Sequence, residues 1–209
     1  MEHLLTVPAS AHALLVLAHG AGAGMRHPFL ETVARGLAER GIATFRYEFA
    51  YMEERKRRPD PPALAEERVR TAVAEAARAA PGLPLLAGGK SFGGRMTSGA
   101  QARHPLPDVR GLVFFGFPLH PPGRPGTARA DHLDAVRIPM LFLQGTRDAF
   151  AELALLEPVC ARLEQRATLH VVEGADHSFR VPHRAGRSDA DVLAELAKAV
   201  NDWSRGVMS

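Results

Sequence analysis

The chain has little of the material that several classes of protein require. Only one of its 209 residues is a cysteine, Cys160, so an intrachain disulfide framework is excluded and a reducing compartment is expected. No apolar run approaches the roughly 18 residues that a membrane helix needs, and the start lacks the basic region of a signal peptide. The sequence therefore predicts a cytoplasmic protein that does not act at a membrane.

The chain also lacks a large excess of charge of either sign. Lys and Arg together number 26 against 23 Asp and Glu, so the formal net charge is only +3, and nucleic acid is not an expected partner. Metal-ligand spacings such as His-Glu-x-x-His do not occur, and neither a metal nor another cofactor is expected. The chain also lacks internal repeats, low-complexity blocks and long interior linkers, which predicts one domain over residues 1–209.

What the sequence does contain is a regular alternation of apolar runs and helical patterns. The predicted strands are Ala13–Leu17, Ile42–Phe49, Leu83–Ala87, Val109–Phe115, Ile138–Leu143 and Thr168–Val172. The predicted helices are Phe29–Arg40, Ala63–Ala80, Ser91–Arg103, Ala149–Arg166 and Ser188–Ser204. Several of the strands are continuously apolar, which is typical of a parallel sheet buried on both faces.

The predicted fold class is therefore α/β, in a single domain. We expect a mostly parallel sheet of about six or seven strands with helices on both faces. The Pro/Gly-rich loop His120–Arg129 between the fourth and fifth predicted strands is short. A minimal lid, or none, is expected over the site.

A glycine-rich stretch after the third predicted strand can be interpreted in two ways. It reads GGKSFGG from Gly88 to Gly94. Gly-Lys-Ser ends a phosphate-binding P-loop, whose first glycine should stand five residues before Gly89. That position holds Pro84, which has no backbone N–H to offer a phosphate, and the residues after it are apolar and strand-like. The P-loop, and with it a nucleotide-binding function, is disfavoured.

The same stretch matches Gly-x-Ser-x-Gly, the nucleophile elbow of serine hydrolases. An elbow needs a strand, a sharp turn at the serine and a helix, and all three are predicted in that order around Ser91. The turn crowds the neighbouring backbone, and Gly89 and Gly93 supply the small residues that it needs. The alternative is a glycine-rich turn with an exposed serine, and only partner residues elsewhere can decide between the two.

Suitable partners follow in the order that such hydrolases use, which is serine, acid, histidine. Asp148 comes directly after the fifth predicted strand, in IPMLFLQGTRD, and His177 lies in the loop after the sixth, in TLHVVEGADHSF. Each residue alone has an ordinary explanation, as a helix N-cap or as an exposed loop residue. Their joint order after successive strands favours a catalytic triad of Ser91, Asp148 and His177.

Two other acids lie near the histidine in sequence. Asp176 adjoins His177, but the side chains of adjacent residues usually point apart, so Asp176 is the poorer partner. Glu173 is weaker still. Asp148 is the predicted acid.

An oxyanion hole needs two backbone N–H groups beside the nucleophile. One belongs to the residue after the serine, which is Phe92. The other is expected from the loop HGAGAGM after the first predicted strand, with Ala21 as the first candidate and Gly22 as the second. His19 is expected to hold this loop in place, and a plain tight turn is the alternative explanation of the glycines.

Several other polar residues fall near the predicted site. Arg46 and Tyr51 follow the second predicted strand at the sheet edge where ligands bind, so they could contact substrate, although a local surface ion pair explains Arg46 as well. Lys90 is expected to point away from the nucleophile and to have a structural or surface role. The charge run Glu54–Arg58 is interpreted as a solvated loop, with docking to an acidic partner as the alternative.

Six motifs together resemble the small α/β-hydrolase family that is related to dienelactone hydrolases. The motifs are HGAGAGM, RYEFAYM, GGKSFGGR, FPLHPPG, QGTRD and GADHSF. The family includes testis-expressed hydrolase-like proteins and a subunit of an animal chromatin-modifying complex, the NSL complex. The resemblance implies a single-domain α/β-hydrolase fold, with Ser91 as nucleophile, Asp148 as acid and His177 as base. Dienelactone hydrolases have a cysteine where this chain has Ser91, so their substrate does not carry over.

These patterns lead to one functional hypothesis and one alternative from another class. The hypothesis is a serine hydrolase that cleaves a small-molecule ester or thioester through an acyl-enzyme, without a cofactor. The alternative is a catalytically idle α/β-hydrolase scaffold that binds a partner protein. An intact triad favours the hydrolase, because a scaffold has no need of all three residues.

Overall fold

The computed structural model describes residues 1–183 and 186–208. Within these residues, seven strands form one sheet in the order β1-β3-β2-β4-β5-β6-β7. The strands are β1 His3–Thr6, β2 Ala13–Ala18, β3 Ile42–Tyr47, β4 Leu85–Lys90, β5 Val109–Phe115, β6 Met140–Gly145 and β7 Ala167–Val172. The edge strand β1 pairs antiparallel with β3, and every other pairing is parallel.

Helices cover both faces of this sheet. They are α1 Pro28–Ala38, α2 Ala50–Glu53, α3 Pro62–Ala79, α4 Phe92–Arg103, α5 Leu153–Leu163 and α6 Asp189–Met208. The long helices α1 and α6 contact each other on one face, and α3 and α4 contact each other on the opposite face, where α5 also packs. The predicted mostly parallel α/β fold is thereby confirmed.

The strand residues divide between the two helical layers as the pleat of a sheet requires. In β2, Leu14 and Val16 belong to the core beneath α3 and α4, and Leu15 and Leu17 belong to the core beneath α1 and α6. All four side chains are fully buried or nearly so. This two-sided burial explains the unbroken apolar runs, and it makes the sheet a rigid support for the loops at its carboxyl edge.

The structure differs from the sequence prediction at several element ends. Strand β1 was not predicted, since HLLT is short and lies at the edge, where alternate residues stay partly exposed. Strand β3 stops at Tyr47 because Phe49 already caps the short helix α2, which ends at Glu53, directly before the charge run Glu54–Arg58. Helix α5 begins at Leu153 and not at Ala149, because residues 148–151 form a turn instead.

The site edge of the sheet is not covered by an inserted domain. The whole connection from β5 to β6, residues 116–139, lies among the described residues and contains a single short 3-10 helix, Ala128–Ala135. The prediction of a minimal lid or none is confirmed. Among the described residues, no helix combines the length and the apolar character that crossing a membrane would demand.

Candidate active site

Ser91 occupies a sharp turn between β4 and α4. Its backbone angles are φ 49° and ψ −112°, a conformation that L-residues rarely adopt and that costs about 1–3 kcal/mol. The Ser91 N–H donates to the Phe115 carbonyl at 3.2 Å, which ties the strained residue to β5. Residues 85–87 lie in buried strand, so the backbone that a P-loop would wrap around a phosphate is paired in the sheet.

The glycines of the elbow allow it to approach the end of β2. A Cβ on Gly89 would collide with the carbonyl oxygen of Ala18, and a Cβ on Gly93 would lie 2.5 Å from the carbonyl oxygen of His19. Real Cβ atoms do not come this close to backbone, so glycine is required at both positions for a steric reason. The elbow and the loop after β2 are therefore packed directly against each other.

This packing predicts that Gly93→Ala destabilises the protein. We expect the free energy of unfolding to fall by roughly 1–3 kcal/mol, despite the better helix propensity of alanine, because the backbone of His19 cannot move aside cheaply. Urea unfolding measures the change. Gly126→Ala is the matched control, since a Cβ there meets nothing within 4 Å, and it should change stability by less than about 0.5 kcal/mol. Equal stability of the two variants would contradict the packing argument.

His177 joins Ser91 to Asp148 through two hydrogen bonds. The His177 Nδ1 lies 2.7 Å from Asp148 Oδ2, and the His177 Nε2 lies 2.9 Å from Ser91 Oγ. A carboxylate only accepts, so Nδ1 carries the ring proton, and in the neutral ring Nε2 is left to accept the hydroxyl proton of Ser91. Residues from three separate strand ends thus form one connected series.

Asp148 is buried, with only 1% of its side chain exposed, and both of its oxygens accept hydrogen bonds. Oδ1 accepts from the N–H of Phe150 at 2.8 Å, and Oδ2 accepts from Gln144 Nε2 at 2.6 Å in addition to His177. These donors fix the orientation of the carboxylate.

The two rival acids have other partners. Asp176 Oδ1 accepts from the N–H groups of Ser178 and Arg180, at 2.8 and 3.0 Å, and so shapes the loop around the histidine. Glu173 faces the hydroxyl of Thr146 at 3.4 Å. Asp148 is therefore the acid that the fold brings to the histidine ring.

The ring of His177 is largely shielded from water. Phe150 stacks on it with ring centroids 4.2 Å apart, and 19% of the histidine side chain is exposed. Burial lowers the pKa of His177 below its ordinary value, and the hydrogen bond to Asp148 opposes this effect. Sequence reasoning missed Phe150, although its position two residues after Asp148 was a signal that it could lie near the histidine.

Of the three residues predicted as oxyanion donors, Phe92 and Ala21 have suitable positions and Gly22 does not. Phe92 is the first residue of α4, where a backbone N–H has no acceptor within the helix. Ala21 lines the same cavity as Ser91, and a Cβ on the preceding Gly20 would lie 3.9 Å from the Ser91 Cβ. The N–H of Gly22, by contrast, donates to the Tyr51 hydroxyl at 2.8 Å. The candidacy of Gly22 is therefore wrong, because its amide is already engaged away from the serine.

The proposal that Arg46 and Tyr51 contact substrate is also wrong, since neither side chain lines the cavity. Arg46 is buried within β3 and donates from Nη1 to the Met25 carbonyl at 3.2 Å. Tyr51 is fully buried beneath Gly22. Both residues brace the loop after β2.

Two further residues fix the same loop. Glu48 Oε1 accepts from the N–H of Met25 at 2.9 Å. His19 is completely buried, with Nδ1 2.7 Å from the Gly20 carbonyl and Nε2 accepting from the N–H of Phe49 at 3.2 Å. His19 therefore holds the loop in place, as expected, and does not face the serine.

An open cavity of about 570 Å³ lies over Ser91 and His177. This volume is typical of a small-molecule site. Its wall is mainly apolar and comes from α1, α6 and the loops after β6 and β7, through Phe29, Leu30, Phe150, Phe179 and Leu193. No group of three or more histidine, cysteine or carboxylate side chains is arranged to hold a metal ion in residues 1–183 and 186–208.

Lys90 does not have the exposed position that a surface role would give it. Its ammonium is buried and has no hydrogen-bond partner within the described part of the chain. The side chain lines the cavity and lies at the rings of Phe29 and Phe179. Of the two expected roles, the burial of the ammonium beside α1 and the loop after β7 leaves the structural one and not the surface one.

Comparison with known proteins gives a consistent family assignment. The model of the α/β hydrolase domain family matches residues 11–205. A Mycobacterium tuberculosis protein named "Putative phosphoribosyl transferase" is 31% identical over 205 residues. That alignment covers 95% of this chain but only 42% of the relative, so the chain spans less than half the length of the curated relatives it matches.

Solved structures show the same fold. A dienelactone hydrolase from Anabaena variabilis superposes with a TM-score of 0.77 at 22% identity, covering 98% of this chain and 90% of the other. A serine hydrolase without a lid from Xanthomonas campestris gives a TM-score of 0.73 at 21% identity, with 96% and 88% covered. At these identities the likeness concerns the fold.

Proposed function

The chain belongs to the α/β hydrolase domain family, and we propose that it is a serine hydrolase that cleaves a small ester or thioester. The observation that carries this proposal is the pair of hydrogen bonds that joins Ser91, His177 and Asp148 at the mouth of a cavity. A serine, a neutral histidine and a buried carboxylate in this series activate a hydroxyl for acyl transfer.

The first chemical step forms the acyl-enzyme. Ser91 Oγ attacks the acyl carbonyl carbon while His177 Nε2 takes the hydroxyl proton. The tetrahedral intermediate then expels the alcohol or thiol, which receives that proton from His177. In the second step a water molecule repeats the sequence, giving up its proton to His177 and releasing the acid and free Ser91.

The backbone beside Ser91 stabilises the negative charge of the intermediate. The N–H groups of Phe92 and Ala21 are the proposed donors to the oxyanion, and one such donor contributes about 3 kcal/mol of barrier in enzymes of this kind. The N-terminal end of α4 adds a favourable electrostatic field at the same point. The buried supports beneath Gly22 and Met25 hold the Ala21 loop in position, which is what preorganised donors require.

Asp148 stabilises the imidazolium that forms when His177 takes the proton. The Asp148 carboxylate is buried and both of its oxygens accept hydrogen bonds, so it holds the ring of His177 in one tautomer. The shielded ring of His177 is mostly neutral at neutral pH, because burial lowers its pKa. A base that is free at neutral pH is what the first step needs.

The structural neighbours support a hydrolase through their own descriptions, which include a dienelactone hydrolase and serine hydrolases. Within the family, we place this chain near the dienelactone-hydrolase-related group with the testis-expressed and NSL-complex proteins, on the strength of RYEFAYM and FPLHPPG. The mainly apolar cavity favours a small acyl group over a polar polymer.

Labelling with a fluorophosphonate tests the proposal, because the probe reacts with an activated serine whatever its natural substrate is. We expect one phosphonyl adduct per chain, located on Ser91 by mass spectrometry of the peptides. Labelling should be lost on heat unfolding and should fall strongly in His177→Ala, in which the base is missing.

The other outcomes are equally informative. A folded protein that takes up no label at Ser91 would refute the hydrolase and favour the idle scaffold that binds a partner protein. A transferase activity, as in the name of the longer Mycobacterium relatives, would show as phosphoribosyl transfer that survives Ser91→Ala. The segment of those relatives that aligns with this chain covers nearly the same residues of this chain as the hydrolase family model does.

A further inference from the structure

The ammonium of Lys90 is a buried charge that the proposed mechanism does not use. Lys90 ends β4, directly before the strained serine, and its Nζ has no hydrogen-bond acceptor among the described residues. Leaving an ammonium both buried and unpaired is costly, because it loses the hydration of water without a partner in exchange. Because burying the Lys90 ammonium is unfavourable and the residue is adjacent to the nucleophile, we expect its function to involve the neighbouring catalytic groups.

The position of Nζ is defined by three neighbouring groups around Gly116. A Cβ placed on Gly116 would lie 3.1 Å from Lys90 Nζ, 3.4 Å from Asp148 Oδ2 and 3.4 Å from His177 Cε1. The ammonium thus lies just behind the hydrogen-bonded pair of His177 and Asp148. The Nζ of Lys90 and the side chain of Asp148 are both buried, so their charges act on one another with less screening than in water.

The remaining surroundings of Nζ are aromatic. The ring centroids of Phe179 and Phe29 lie 5.5 and 5.9 Å from it, within the range of cation–π attraction. These rings offer no hydrogen bond, although Lys90 lies in the wall of the cavity that Ser91 and His177 also line. The ammonium is buried and lies beside His177 and Asp148, so it is placed to act on the charges of these two side chains.

We propose that Lys90 is a positioning residue whose positive charge keeps His177 in the neutral, proton-accepting form and balances the buried charge of Asp148. This inference rests on the proposed hydrolase function for its purpose, but the charge effect itself is a property of the folded protein. A second positive charge on the His177 ring would be repelled by Lys90 across the space around Gly116.

Two carboxylates, those of Asp148 and Asp176, act on both Lys90 and His177. Burial lowers the pKa of Lys90 to about 8, and Asp148 and Asp176 oppose this, so the ammonium remains mostly charged at pH 7. Burial lowers the pKa of His177 and the Lys90 charge lowers it further, whereas Asp148 and Asp176 raise it. Removing the lysine charge should therefore let His177 gain its proton at a higher pH.

The experiment is an NMR titration of the Cε1–H signal of His177 in the full chain. Wild type, K90M, K90Q and K90R are compared, and the signal is assigned by its absence in H177Q. We expect the His177 midpoint to lie at higher pH in both neutral variants and near the wild-type value in K90R. Unfolding by urea, followed in parallel, identifies any variant that does not fold, and the two neutral variants must agree.

A kinetic readout accompanies the titration. The ratio of the fluorophosphonate labelling rates at pH 5.5 and pH 8 should fall roughly three- to tenfold in K90M, because more of the base is protonated at the lower pH. The same ratio should be preserved in K90R. A loss that is equal at every pH would instead indicate a merely structural role.

The outcomes for the two proposals are separable. Identical His177 midpoints in wild type, K90M and K90Q would overturn the role of Lys90, whether or not the protein is labelled. If the His177 midpoint does not move but K90M binds a carboxylate-bearing ester more weakly while its binding of a neutral ester is unchanged, the proposal is overturned and Lys90 is a substrate-binding residue. Failure of wild type to take up label would overturn the hydrolase function, while the titration would still decide the charge effect.

Discussion

Ser91→Ala is expected to lower kcat/KM for short-chain p-nitrophenyl esters by about 10⁴-fold or more. The variant keeps the cavity, the predicted oxyanion donors and the bond between His177 and Asp148, but it removes the oxygen that forms the acyl-enzyme. The residual rate should be the part that binding and oxyanion stabilisation supply alone. Spectrophotometric assays over a series of acyl chain lengths measure the loss.

A serine on the wall of the same cavity provides the matched control. Ser178 lines the cavity beside His177 but shares no hydrogen bond with it, so Ser178→Ala should stay within a few-fold of wild type. A comparable loss in both variants would mean that the cavity as a whole, and not the Ser91 hydroxyl, is responsible. Full activity in Ser91→Ala would show that the hydrolysis measured does not pass through an acyl-Ser91.

The alternation of apolar strands and helical patterns was sufficient to predict most of the sheet, for a physical reason. A parallel strand buried on both faces must be apolar at nearly every position, and β2 shows this over its whole length, while β4 and β5 depart from it only at Lys90 and Arg110. Strand β1 could not be predicted in this way, because it lies at the sheet edge, pairs only with β3 and keeps half of its side chains exposed. Local pattern is informative where burial is two-sided.

The proximity of the three proposed triad residues could likewise be predicted from their order in the sequence. Ser91, Asp148 and His177 each follow a parallel strand, and the carboxyl ends of parallel strands meet at one edge, so order alone implies proximity. What the pattern could not contain is the direction of side chains on the connecting loops. Arg46 lies near the end of β3 and Tyr51 follows that strand, yet both side chains contact the loop after β2 and neither lines the cavity.

Lys90 illustrates the same limit from the other side. A lysine in a polar, glycine-rich stretch is ordinarily solvated, and no residue near it in sequence indicates that its side chain would be covered. The cover comes from Phe29 and Phe179, which lie 61 residues before it and 89 residues after it. Burial of this kind is set by tertiary packing between distant segments, and a single sequence does not encode it locally.

Asp148→Asn is expected to lower kcat/KM by about 10³- to 10⁴-fold while leaving the fold intact. The N–H of Phe150 holds one oxygen of the side chain, so the new amide nitrogen takes the position that faces His177. An amide nitrogen donates, and His177 Nδ1 must then accept. The ring proton moves to Nε2, which can no longer take the proton of Ser91. The buried Gln144 can turn its amide to match, since its carbonyl oxygen has no other partner among the described residues.

The corresponding change at the neighbouring acid separates this mechanism from a general loss of negative charge. Asp176→Asn removes one charge near the same histidine, but an amide oxygen can still accept from the N–H groups of Ser178 and Arg180, so the loop keeps its shape. We expect kcat/KM to change only a few-fold. Because the two variants lose the same charge and differ in what faces the ring, a large drop at Asp148 alone assigns the effect to the tautomer of His177. Equal losses at both positions would instead assign it to the electrostatic field of the loop, and would require a different acid–base account of the site.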